Sequence, residues 1–175
     1  MFPRQPDDPG MTAAIRIARY VLRDLVEASA SAWIYCFAIF TAKFQGSMGL
    51  IAPPDIEGPA HGALRIPKRF WAIANFSRFV RPGWKLMQVE GPGGENVGFI
   101  DPGGNNFAIV AINQSATSQT AAYNFKNRTV SVVRVFATTP NLDLQPLTVQ
   151  NINPNGFTAV LPPTSVLTFE GTFFR

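Results

Sequence analysis

Arg69-Phe-Trp-Ala-Ile-Ala-Asn-Phe-Ser-Arg-Phe-Val-Arg-Pro-Gly83 decides how this chain folds. Pro67 stands just before it, where a helix start loses no hydrogen bond to a missing N–H. Phe70, Ile73, Ala74, Ser77 and Val80 fall on one stripe at helical spacing, which predicts a helix with that stripe turned inward. Arg81-Pro82-Gly83 ends it, because proline cannot continue a helix and glycine accepts the left-handed C-cap. From Trp84 onward the hydrophobic period changes from about 3.6 residues to about 2. A helix therefore hands over directly to a β domain.

Candidate strands follow at 84–90, 96–100, 106–113, 117–125, 129–138, 147–150, 156–161 and 165–171. Asp101-Pro-Gly-Gly104 is a turn signal between two of them. Short strands at this spacing, in a chain with 14 glycines and 15 prolines, predict an antiparallel sandwich.

Upstream, Asp8-Pro9 reads as a helix start, with aspartate as cap and proline at the first helical position. Met11, Ala14, Ile15, Ala18, Leu22 and Leu25 recur at helical spacing, with Arg16, Arg19, Arg23 and Glu27 on the opposite face. Ser29-Ala-Ser31 breaks this helix. Ala32-Trp-Ile-Tyr-Cys-Phe-Ala-Ile-Phe40 is then apolar without alternation, as in a strand covered on both faces. One helix and one such strand cannot cover that strand alone, since a barrel needs about eight such units. The expected fold class is mainly β: an antiparallel β-sandwich preceded by an incomplete (β/α)8-barrel remnant of helix, buried strand, loop and helix. Residues 1–66 form the remnant with its loop, and 67–175 the linking helix and the sandwich.

Composition narrows the function. Hydrophobic residues make up 46% and charged ones 15%, which excludes a disordered chain. The net charge is +4, but the basic residues are spread out, and the densest group is Lys68, Arg69, Arg78 and Arg81 on one helix. With no nucleic-acid-binding motif, a nucleic-acid partner is not expected. Cys36 is the single cysteine and is read as a small buried thiol, so no internal disulfide is expected. His61 is the single histidine, so no metal site and no cofactor are expected. Residues 32–42 are about half the ~20 a membrane-spanning helix requires, so no membrane partner is expected. The first residues lack the charged and apolar regions of a signal peptide.

The order of helix, Trp33-Ile-Tyr35, glycine/proline loop, Lys68-Arg-Phe-Trp and Asn75-Phe-Ser-Arg-Phe-Val-Arg-Pro-Gly83 resembles the C-terminal part of glycoside hydrolase family 30. Asn106-Phe-Ala-Ile-Val-Ala-Ile-Asn113 and Gly156-Phe-Thr-Ala-Val-Leu-Pro-Pro-Thr-Ser-Val-Leu-Thr-Phe169 continue the match, which covers most of 8–171. The resemblance implies a parent with a (β/α)8 barrel fused to a sandwich. It also implies a retaining endo-hydrolase of β-linked polysaccharide, nearest the β-1,6-galactanase-like members. Retention needs one carboxylic acid to protonate the leaving oxygen and one carboxylate to attack, roughly 5 Å apart. The resemblance puts both glutamates on earlier barrel strands, so no catalytic residue is assigned here and this chain alone is expected to be inactive. The acidic residues of this chain agree, since they fall at a helix start, on a solvated helix face, in turns and at strand ends.

By the same resemblance, Trp33 and Tyr35 match aromatics near the active-site mouth, where rings stack on sugars. They are the candidate substrate-binding residues, and a plain core role is equally open to them. The family pattern there runs close to Trp-Val-Tyr-Trp-Gln, and Cys36 and Phe37 replace its last two residues, removing a sugar platform and a polar contact. Arg78 and Arg81 are assigned to the interface between barrel and sandwich rather than to an anion. Asn75-Phe-Ser77, Asn113-Gln-Ser115 and Asn127-Arg-Thr129 fit the glycosylation pattern.

The expected partner is polysaccharide. The alternative function is a non-catalytic β-sandwich that binds carbohydrate or supports a barrel. The orphan strand 32–40 is expected to drive self-association, and trimming to about 66–175 to relieve it.

Overall fold

The computed structural model of the protein describes residues 8–40, 49–53, 64–89 and 95–174. His61, Asp7, Asp55, Glu57 and Glu90 lie outside the described residues.

The described residues form two helices and nine strands: α1 (Met11–Val26), α2 (Lys68–Ser77), β1 (Lys85–Met87), β2 (Glu95–Ile100), β3 (Asn106–Asn113), β4 (Gln119–Asn124), β5 (Val130–Thr138), β6 (Gln145–Leu147), β7 (Gln150–Asn153), β8 (Gly156–Leu161) and β9 (Ser165–Phe173). The strands make a six-stranded sheet in the order β1-β2-β3-β9-β5-β6 and a three-stranded sheet in the order β4-β8-β7. Every pairing is antiparallel. The sandwich expected from the strand spacing is the fold observed. The expected strand at 147–150 divides, because the chain changes sheets there: β6 pairs with β5 and β7 with β8.

Two apolar layers hold the molecule. Between the sheets, Phe107, Ile109, Tyr123, Val135, Phe157, Leu161, Leu167 and Phe169 form the sandwich core. On the far side of the large sheet, Met11, Ala14, Ile15, Ala18, Val21 and Leu22 of α1 share a second core with Ala72 and Phe76 of α2 and with Val97, Phe99, Val110, Ile112 and Val166. β3 is buried on both faces, which explains its non-alternating Phe-Ala-Ile-Val-Ala-Ile run. In β9, a Cβ on Gly171 would run into the Phe107 ring, so only glycine fits there.

α1 starts later than expected. Gly10 is the N-cap, and Asp8 reaches forward to accept bonds from the Gly10 and Ala13 amides at 2.8 and 2.9 Å. α2 opens at Pro67 as expected, but its buried residues are Arg69, Ala72, Asn75 and Phe76, not the stripe through Phe70, Ile73 and Ser77. The reason is that α2 packs against α1 on one side and against β5 and β9 on another, so its face is chosen by two neighbours. Asn75, fully buried, donates its amide to the Trp71 carbonyl at 2.9 Å and to Thr138 Oγ1 at 2.8 Å. Thr168 Oγ1 lies 2.6 Å from the Asn75 carbonyl and 2.9 Å from its Oδ1. A polar bolt thus joins α2 to β5 and β9.

The expected buried strand 32–40 does not form. Among the described residues its ladder is a single parallel bridge, Ile39 to Ile51, and Ile34 is 89% exposed. A strand covered on both faces needs neighbours on both edges, and among the described residues it has one short contact. Cys36 is accordingly exposed rather than buried. Trimming to 66–175 would also remove α1, which covers the large sheet, so the sequence expectation that trimming helps runs against the packing.

Asn75 and Asn113 are 0% and 1% exposed, so neither can accept a glycan in the folded chain. Asn113 instead staples a turn, donating to the Thr117, Leu161 and Pro162 carbonyls at 2.9, 3.0 and 2.8 Å. Asn127 is exposed.

Candidate functional site

Trp33 and Tyr35 sit on the irregular segment after α1, with ring centroids 6.0 Å apart and planes tilted by 32°. Both are half-buried. Residues two apart in an extended chain share a side, which brings these rings together. Trp33 Nε1 donates to Asp24 Oδ2 at 2.8 Å, so the indole is tied back to α1. Its ring packs against the helical core and lines an apolar groove of about 730 Å³ with Leu25, Val80, Trp84 and Leu86.

Arg78 and Arg81 lie just past α2 and are exposed. The Arg78 guanidinium stands 5.5 Å from the Phe79 ring centroid and 5.1 Å from that of Phe136 on β5. It thereby bridges the end of the helix to the sandwich. Arg81 donates to the Ser77 carbonyl at 3.0 Å, capping the last residue of α2 from the turn that follows it. The other basic residues of that helix turn inward. Lys68 pairs with Asp143 at 2.6 Å, and Arg69, 6% exposed, donates Nε to the Gly49 carbonyl at 2.9 Å.

The described carboxylates are all engaged. Asp8 caps α1, Asp24 holds Trp33, and Glu27 faces Arg23 at 3.6 Å. Glu95 pairs with Arg19 at 2.7 Å, which raises the Arg19 pKa above its ordinary value through that hydrogen bond and charge. Glu170 pairs with Arg134 at 2.9 Å. Asp101 accepts from the Asn106 amide at 3.0 Å, its side-chain amide at 2.7 Å and the Asn105 amide at 2.7 Å. These bonds, led by the Asn106 backbone amide, hold its pKa below the usual carboxylate value. None stands beside a second carboxylate in a shared pocket. Among the described residues no cluster of three or more His, Cys, Asp or Glu could hold a metal, and no helix is long and apolar enough to cross a membrane.

Burial pushes the Tyr123 phenol pKa up, and its hydroxyl donates to Asn96 Oδ1 at 2.7 Å. The Asn75 bolt and the Arg134–Glu170 pair were not singled out from sequence. The alternation of Val132, Arg134 and Phe136 on one strand face was the signal available for the second.

The fold is a two-layer sandwich carrying two helices on its larger sheet, and the described residues include no paired carboxylates. Two glucuronoxylanases XynC of Bacillus subtilis match the chain in sequence. One, from strain 168, is 35% identical over 113 residues, and the other 36% over 114 residues; each match takes 64% of this chain and 27% of the relative. The chain thus spans about a quarter of the length of the curated relatives it matches. In structure, a family 30 endoxylanase from Clostridium papyrosolvens C71 superposes with a TM-score of 0.74 at 23% identity, covering 95% of this chain and 39% of that one. The catalytic domain of xylanase C from Talaromyces cellulolyticus gives 0.76 at 23% identity, over 91% of this chain and 35% of that one. A conserved exported protein from Bacteroides fragilis gives 0.75 at 26% identity, over 95% and 35%. No family model matches. In sequence and in fold the chain is thus similar to part of these xylanases, which include family 30 enzymes.

Proposed function

We propose that the chain is the C-terminal, sandwich-bearing part of a retaining endo-hydrolase of β-linked polysaccharide, supplying scaffold rather than the glutamate pair. The observation that carries this is the state of its carboxylates: each described one is held by a cation, an amide or an indole, and none faces another across a cleft. A retaining pair requires two carboxyl groups about 5–5.5 Å apart with one free to attack. The names of the sequence relatives favour glucuronoxylan as substrate of the parent, with β-1,6-galactan, suggested by the sequence motif, as the competing linkage.

The test is reducing-sugar release from glucuronoxylan, β-1,6-galactan and β-1,6-glucan by the purified 175-residue chain. No release from any polymer is expected. Turnover would mean that carboxylates in this chain do the chemistry and would overturn the proposal. The non-catalytic module remains the second reading, favoured by the same engaged carboxylates; polymer binding without turnover singles out a carbohydrate-binding role.

A further inference from the structure

Beyond the end of α2, a cleft of about 490 Å³ opens on the helix-facing side of the large sheet. Arg78, Arg81 and Trp84 come to it from the chain after α2, Asn106 from β3, Arg134 from β5 and Glu170 from β9. Glu170 is the single carboxylate among these walls, and Arg134 already takes it at 2.9 Å. Arg78 is engaged with two aromatic rings and Arg81 with one main-chain carbonyl. Neither has a carboxylate partner among the described residues. Lys68 and Arg69 are tied inward, so the unbalanced positive charge of this helix end is concentrated at the cleft. A guanidinium over a ring face keeps its in-plane N–H donors available, and these match a carboxylate in pairs.

We propose that this cleft binds a carboxylate-bearing sugar, a hexuronate unit of an acidic glycan. Arg78 and Arg81 hold the carboxylate, and the half-buried Trp84 indole offers a flat face to the sugar ring. The volume lies within the ~300–1,000 Å³ of ordinary ligand sites. Glu170 argues against a nucleic acid, since its charge opposes a continuous run of phosphates but tolerates one isolated carboxylate beside Arg134. The inference rests on the reading that the parent acts on polysaccharide, and adds that this face of the sandwich selects acidic ones.

The test is calorimetry or affinity electrophoresis of the full chain with glucuronoxylan and with the same polymer after carboxyl reduction. The acidic polymer is expected to bind more tightly, with an affinity that falls as salt rises. Arg81→Gln should weaken that binding about three- to tenfold. Glu170→Gln should strengthen it about two- to fivefold by removing the competing anion, a gain that a misfolded variant cannot produce. Equal binding of native and reduced polymer, or no change with both variants, overturns the cleft while leaving the polysaccharide reading of the parent in place. Absence of binding to either polymer, together with no shift of the Trp84 indole N–H signal on adding sodium glucuronate, overturns it too. Equal retention on duplex DNA would replace the sugar site by a non-specific basic surface.

Discussion

Replacing Asn75 with alanine tests how the helices are fastened to the sandwich. The Asn75 amide makes two hydrogen bonds, at 2.9 Å to Trp71 and 2.8 Å to Thr138, and its Oδ1 faces Thr168 at 2.9 Å. Truncation removes all three and strands Thr138 Oγ1 in a position with 0% exposure. Thr168 keeps the Asn75 main-chain carbonyl, so its hydroxyl is not stranded. Each lost bond is worth about 1 kcal/mol, and a stranded buried acceptor costs about 1–3 kcal/mol. A loss of about 3 kcal/mol is expected, which at roughly 2–4 °C per kcal/mol for a domain of this size lowers Tm by about 6–12 °C. Urea unfolding followed by circular dichroism would measure it, with Thr138→Val and the double variant closing a cycle whose coupling should be about 0.5–3 kcal/mol. A loss under about 1 kcal/mol with no coupling would refute the polar bolt.

Removing residues 1–66 takes away the α1 residues that cover Val97, Phe99, Val110, Ile112 and Val166, so the shortened chain should melt earlier and bind a hydrophobic dye. An unchanged Tm would mean that α1 adds nothing to the sheet. Ile34→Ser with Ile39→Thr acts on side chains 89% and 64% exposed; it should reduce self-association in light scattering without lowering Tm. Equal association in parent and variant would clear segment 32–40 of that role. Asp101 has a lowered folded pKa, so its contribution is complete above the ordinary carboxylate value of about 3.9 and fades as pH falls through the folded value. Asp101→Asn should therefore lower the urea midpoint at pH 6, with the gap to the parent closing below about pH 4; a gap constant with pH would show that its amide bonds do not depend on the charge.

What the sequence determined by itself was local. Pro67 opens a helix because proline acts through backbone geometry that no neighbour need supply, although α2 ends at Ser77, ahead of the expected stop at Arg81-Pro82-Gly83. The alternating strands and the Asp101 turn were legible for the same reason, and β3 and β8 fall on the expected residues. The motif around Arg78 and Arg81 carried the resemblance to glycoside hydrolase family 30. Tertiary structure decided the rest. The runs at 32–40 and 107–112 carry the same apolar signal, yet the second is a strand covered on both faces and the first is exposed coil, because strand pairing depends on partners supplied from elsewhere. Which face of α2 is buried, and why Thr168 interrupts an apolar strand, depended on α1 and the sheet meeting around Asn75. The Arg78–Arg81–Arg134 cleft joins residues far apart in sequence, and only the packing of a helix end over β5 and β9 brings them to one wall.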